Sequence, residues 1–251
     1  MIFQRQAPNS ISISVEVAVM IATLLAVSLA AAAPGVYFEQ TTVLREEGRG
    51  PTPGVRSRVW CDGPRMRLES ADAAAGPALV LRLDEGRALR LDPESRVATE
   101  LDVARLRARS QTDASVAAGL MGGPGDEGLR TVALSGRRTI AGHACRGYRI
   151  KGSTVTVEVW VAGDLPLRAD VFADFLEWSG AAQALSGFVS AIRALPGFPL
   201  ETRFRLDVFG TVRETVSTVT LIRISRAPRG HFEVPAGWRT VREAPPEEAG
   251  P

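Results

Sequence analysis

Apolar and polar residues alternate with period two through most of this chain. The clearest case is Val155–Leu167, where Val155, Val157, Val159 and Val161 alternate with Thr154, Thr156, Glu158 and Trp160. That pattern predicts a strand with one buried face, ended by Gly163, Asp164 and Pro166. The stretch before it, Arg137–Lys151, bends at Gly142; beyond the bend His143, Cys145, Gly147 and Arg149 alternate with Ala144, Arg146, Tyr148 and Ile150, and either set fits an inward face. Together the two stretches predict one antiparallel hairpin.

From Val36 to Leu101 short alternating runs are cut by turn formers at about ten-residue spacing, the signature of an all-β meander. Strands are expected over Val36–Leu44, Val55–Cys61, Arg65–Ser70, Ala78–Asp84, Arg87–Asp92 and Arg96–Leu101. The turns between them fall at Asp62-Gly63-Pro64, Glu85-Gly86 and Asp92-Pro93-Glu94. The rhythm breaks at Val103–Met121, where Val103, Leu106, Val116 and Leu120 predict a weak helix ending at Gly122-Gly123. A stronger helix is expected over Ala169–Leu195: Phe172, Phe175, Leu176, Leu185, Phe188, Val189, Ile192 and Leu195 recur at helical spacing, and Pro196-Gly197 stops it. Strands return with Phe204, Leu206 and Val208 and with the Val- and Thr-rich Thr211–Ile224, and Phe232–Val241 closes the fold. No linker and no repeat divides the chain, which predicts one mainly β domain with some helix (α+β) over residues 36–241. Residues 242–251, rich in Pro, Glu and Gly, read as a disordered tail.

The N-terminus changes the expected address. Arg5 sits in a polar leader, an apolar run covers Val17 to Leu29, and Ala30–Ala33 supply small side chains. Residues 1–33 therefore read as an export signal, with cleavage after Ala32 fitting the A-x-A rule. The competing reading is an uncut membrane anchor, since Val15–Ala33 approaches the roughly 20 residues that span a bilayer. Either way the rest of the chain is expected outside the cytoplasm, in the periplasm or beyond. No cysteine follows the apolar run, so lipoprotein processing is not indicated. The only cysteines, Cys61 and Cys145, fit either one disulfide or two separate buried thiols.

A net charge of +2 over 251 residues gives no warrant for nucleic-acid binding, which needs basic residues gathered on one face. Lys151 is the only lysine, so arginine supplies nearly all the positive charge. Metal binding is not expected either: His143 and His231 lie far apart, and the cysteines lack C-x-x-C spacing. Gly123, Gly125 and Gly128 spell G-x-G-x-x-G, but no apolar strand precedes them, Pro124 removes an amide donor, and Asp126 and Glu127 would repel phosphate, so a surface loop explains them. His143 and Cys145 share a strand side and would be the seed of a Cys-His pair; a histidine beside a structural cysteine is the plainer reading. Asp84, Asp92, Glu100, Asp102 and Glu158 read as solvated carboxylates at strand ends or on polar faces, and Trp60, Trp160 and Trp238 as core or cavity lining. No catalytic residue and no cofactor is assigned.

The signal peptide comes first; the turn-linked early strands ending LRLDEGRALRLDPESRVATEL (Leu81–Leu101), the RTIAGHACRGYRI hairpin with EVWVAGDLPL, the PGFPLETRF strand entry (Pro196–Phe204) and the terminal FEVPAGW (Phe232–Trp238) follow in order over Val36 to Val241. Taken together they resemble a family of secreted bacterial proteins of unknown function related to the LolA/LolB lipoprotein carriers. The resemblance implies an unclosed, strongly curved antiparallel half-barrel with helices in its concave face and a hydrophobic cavity between them. From it follows the functional expectation: a non-enzymatic exported protein that binds a lipid or other amphiphile, with Phe172, Phe175, Leu176, Phe188, Ile192 and Trp160 lining or gating the cavity. The alternative is an envelope interaction or sensing module that keeps the same fold, fills its core and binds a protein partner.

Overall fold

The computed structural model describes residues 35–46, 48, 50, 52–72, 76–108, 111–112, 129–152, 155–167, 186–208 and 211–243. The export signal, Gly123, Gly125 and Gly128, residues 244–251 of the tail, and Phe172, Phe175 and Leu176 lie outside them. Among the described residues twelve strands follow one another. They are β1 (Val36–Glu46), β2 (Val55–Asp62), β3 (Arg65–Ser70), β4 (Ala78–Arg82), β5 (Arg87–Asp92), β6 (Val97–Leu101), β7 (Arg130–Ile140), β8 (His143–Lys151), β9 (Val155–Ala162), β10 (Phe198–Val208), β11 (Thr211–Ile224) and β12 (Arg239–Arg242). Among the described residues the helix α1 (Ser186–Arg193) precedes β10, and residues 103–108 are helical after β6.

All twelve strands belong to one sheet in the order β12-β6-β5-β4-β3-β2-β1-β11-β10-β9-β8-β7. Two meanders, β1 to β6 and β7 to β11, are thus joined through β1 and β11. Each turn has a local cause. Between β5 and β6 the Asp92 carboxylate accepts the Glu94 amide at 3.0 Å and the Ser95 hydroxyl at 2.7 Å. Between β7 and β8 the chain reverses over Ala141 and Gly142, both at positive φ (48° and 86°), the two-residue turn whose twist matches that of the strands it joins. The expected hairpin of β8 and β9 forms, with Gly147 opposite Trp160 and Ile150 opposite Val157.

The sheet is curled and unclosed. Residues of β7 and β11 bring their Cα atoms within 8 Å, although β8, β9 and β10 lie between them in the hydrogen-bonded order. In a flat sheet strands four places apart would be about 19 Å apart. The edge strands, β12 and β7, pair with no common neighbour, so the barrel stays open.

Register fixes two faces over β1 to β6. One carries Val36, Phe38, Val59, Cys61, Met66, Leu81 and Ala88, all in the main core, which α1 joins through Phe188, Val189 and Ile192. The other carries Ala78, Val80, Leu89, Leu91 and Ala98, which form a second core with Phe232, Val234 and Trp238. Those last three belong to residues 225–238, a strap without strands that crosses this outer face.

Four expectations need correction. The valine strand β9 is not buried on one face only: Trp160 and Ala162 are buried as well as Val157, Val159 and Val161. The tail does not begin at residue 242: after Pro235 and Gly237 turn the chain, Arg239–Arg242 pairs parallel to β6 in an otherwise antiparallel sheet, and the Glu243 amide donates to the Glu100 carbonyl at 2.9 Å. Strand β7 begins at Arg130, seven residues before Arg137. The helix ends at Arg193, where the Leu195 amide turns back to Ile192 and the Gly197 amide to Leu195, tightening the chain before Pro196 permits no further helix.

Candidate functional site

The expected cavity residues divide. Phe188 and Ile192 sit on the buried side of α1, at 7% and 0% exposure, in one cluster with Phe38, Val59, Phe198 and Leu200 of the sheet. Phe38 and Phe198 meet edge to face with ring centroids 6.1 Å apart. Trp160 is buried too, but register puts it on the opposite side of β9 from Val157 and Val159. There it lies over Gly147, where an added Cβ would come 2.9 Å from the indole ring, and under the Arg138 guanidinium, 4.2 Å from the ring centroid. Arg138 in turn donates to Glu201 at 2.9 Å.

The Cys-His pair takes a definite form. His143 Nδ1 lies 2.9 Å from Asp164 Oδ2, and this hydrogen bond holds the Asp164 carboxyl below its ordinary range. The Cys145 thiol, however, donates to the His143 backbone carbonyl at 3.5 Å, is fully buried, and is pushed up to about 11 by that burial. It is a protonated thiol at neutral pH, without the thiolate a nucleophile needs. Cys61 is likewise buried, its thiol pushed far up by desolvation. Both cysteines are free, on β2 and β8, and no bridge joins them.

The acidic residues named from the sequence are partnered. Arg82, itself buried in the sheet, donates to both carboxylate oxygens of Asp84 at 3.1 Å, to Glu233 of the strap at 2.8 Å and to Glu85. Arg87 donates to Glu100, and Arg149 to Glu158. Asp102 accepts the Arg105 amide and so caps residues 103–108. Trp60 stacks on Tyr37 (4.6 Å) and against His231 (5.3 Å) beneath the strap. Among the described residues no group of three or more His, Cys, Asp or Glu side chains is placed to hold a metal ion, and no helix is long and apolar enough to cross a membrane.

One feature escaped the sequence reading. On the main-core face, Gln40 and Thr42 of β1, Ser57 of β2, Thr215 and Ser217 of β11 and Thr202 of β10 are all buried. Five are cross-strand neighbours: Gln40 faces Ser57, Thr42 faces Ser217, and Ser217 faces Thr202, while Thr215 stands next to Ser217 on the same face of β11, opposite Leu44 and Phe204. Thr42 and Ser217 share a hydroxyl hydrogen bond of 2.8 Å, while neither the oxygen nor the nitrogen of the Gln40 amide has a partner. The signal was in the alternation itself. Val36, Phe38, Gln40 and Thr42 share one parity, so a face that starts apolar turns polar within one strand.

No curated protein matches this sequence. Among solved structures, PNGF-II in its C2 crystal form is 13% identical over 83% of this chain, with a TM-score of 0.38. This chain spans about a third of that protein's length, 31%. MucB is 12% identical with a TM-score of 0.44, over 90% of this chain and 66% of its own. A LolA superfamily protein, NE2245 from Nitrosomonas europaea, is 12% identical with a TM-score of 0.33, over 86% of this chain and 97% of its own. Residues 124–238, which contain β7 to β11, α1 and the strap, match the model of a domain of unknown function, DUF4412.

Proposed function

We propose that this chain is an exported, non-enzymatic protein of the cell envelope that takes an apolar or amphiphilic ligand between the concave face of its curled sheet and α1 (Ser186–Arg193). The observation that carries the reading is the seam between α1 and the sheet, where Phe188, Val189 and Ile192 share one apolar cluster with side chains from both meanders. A helix packed by its apolar side on an open sheet can shift, and the surface it uncovers would bind an acyl chain at about 25 cal/mol per Å² of apolar area buried. The non-enzymatic part draws on Cys145, whose buried thiol is no nucleophile. The test is mass spectrometry of an organic extract of the mature protein, purified from the envelope fraction without detergent. A stoichiometric lipid is the expected result.

A second reading has its own support. Phe188 and Ile192 are already covered by protein, as in a filled core whose work is done at the surface against a protein partner. An empty extract from folded protein, with one envelope protein recovered by crosslinking, would favour it.

A further inference from the structure

Along the central strands the main-core face changes polarity in order. At one end stand Val36, Phe38 and Val59; next come the buried neutral groups of Gln40, Thr42, Ser57, Thr202, Thr215 and Ser217, with Val219 opposite Gln40; beyond them Arg213 reaches Glu46 at 3.2 Å. The middle belt has hydrogen bonds to give. The Gln40 amide offers two donors and an acceptor, is 1% exposed, and uses none of them. In the Thr42–Ser217 pair one hydroxyl donates to the other, which leaves the accepting hydroxyl's own proton to spend. A buried amide with no partner is costly enough that native proteins rarely keep one, which points to a group held there that is neither backbone nor side chain.

The geometry points to the belt as the subsite for the neutral, hydrogen-bonding part of an amphiphile, such as an ester carbonyl, an amide or a hydroxyl, whose chain runs toward the apolar end and α1. An anionic head fits poorly. None of the six belt positions carries a charge, and Arg213 at the rim is already paired with Glu46. This inference rests on the amphiphile-binding reading and adds to it the class of headgroup.

The test uses delipidated mature protein at pH 8 and displacement of the neutral fluorescent probe N-phenyl-1-naphthylamine by monodecanoylglycerol, decanoate and 1-decene. Monodecanoylglycerol is expected to displace the probe at about tenfold lower concentration than the other two, as one or two satisfied hydrogen bonds would give. Gln40→Met should keep probe binding and abolish that preference. If this variant does not fold by circular dichroism, Ser57→Ala and Thr202→Val replace it, with the same loss of preference expected. Probe binding with equal displacement by all three compounds, or a preference that survives these substitutions, overturns the headgroup assignment and leaves Gln40 a hydrated core residue. Failure of the probe to bind at all overturns the amphiphile-binding reading itself, and the headgroup assignment with it.

Discussion

Cys61 and Cys145 show how burial sets chemistry at single residues. Both thiols are kept protonated by desolvation rather than by any charged neighbour. Ellman's reagent at pH 8 should therefore find no reactive thiol in the native protein and two after denaturation without reductant; none after denaturation would mean that the two are bridged. His231 makes the opposite case for a base. Burial and the Arg67 guanidinium lower its pKa, so the fold prefers the neutral ring against Trp60 and Phe232. The unfolded chain then binds the proton more readily, and stability is lost as pH falls from about 6.5, the ordinary histidine value, toward the lowered folded pKa. Urea midpoints measured at pH 7.5 and 5.5 should drop more for this protein than for His231→Asn; equal drops would remove His231 from the acid sensitivity. Neither Arg82 nor Gln40 was legible as buried, because a period-two reading sends polar residues outward. Arg82 is inside with three carboxylates around it, and Gln40 is inside with none.

At the scale of elements, strands with strict alternation and marked turns were read to the residue: β3, β5 and β11 have the bounds their sequence predicts. Strand β7 was missed at its start because almost nothing in it is buried; Val132 is 58% exposed, and a bulge between Ala133 and Arg137 disrupts its pairing with β8. Charge and a bulge are what keep an edge strand from pairing with other chains, and the same traits erase the pattern that reveals a strand. The strap was half legible. FEVPAGW was recognisable, but its packing on the outer face depends on Phe232 filling a hollow over β4, β5 and β6 that no local pattern announces. Phe232→Ala should cost about 3–5 kcal/mol, the usual range for emptying a buried aromatic site, and should release β12 with it. Hydrogen exchange read at Arg239–Arg242 checks this: amides protected as in the parent would show that β12 holds to β6 without the strap.

For the whole molecule, a mainly β domain follows from the sequence pattern and its curled, open form from the family resemblance; the joint that makes one sheet of two meanders follows from neither, since no local signal says that β1 will find β11. The address is likewise an expectation that a direct measurement can decide. Intact mass of the protein recovered from the periplasmic or culture fraction should place the first residue at Ala33, and a full-length chain found only in membranes would favour the anchor. That central joint has a consequence for how the chain reaches its destination. Val36 lies opposite Ile224, so the first strand to emerge from a ribosome or a translocation channel has its partner almost at the other end of the described chain. Until that partner arrives, β1 lacks one neighbour, with Val36 and Phe38 uncovered, and long-range pairing of this kind is slow. A chain wired in this way stays threadable through a secretion channel for as long as its tail is still inside, and folds as one piece only after the last strands have crossed.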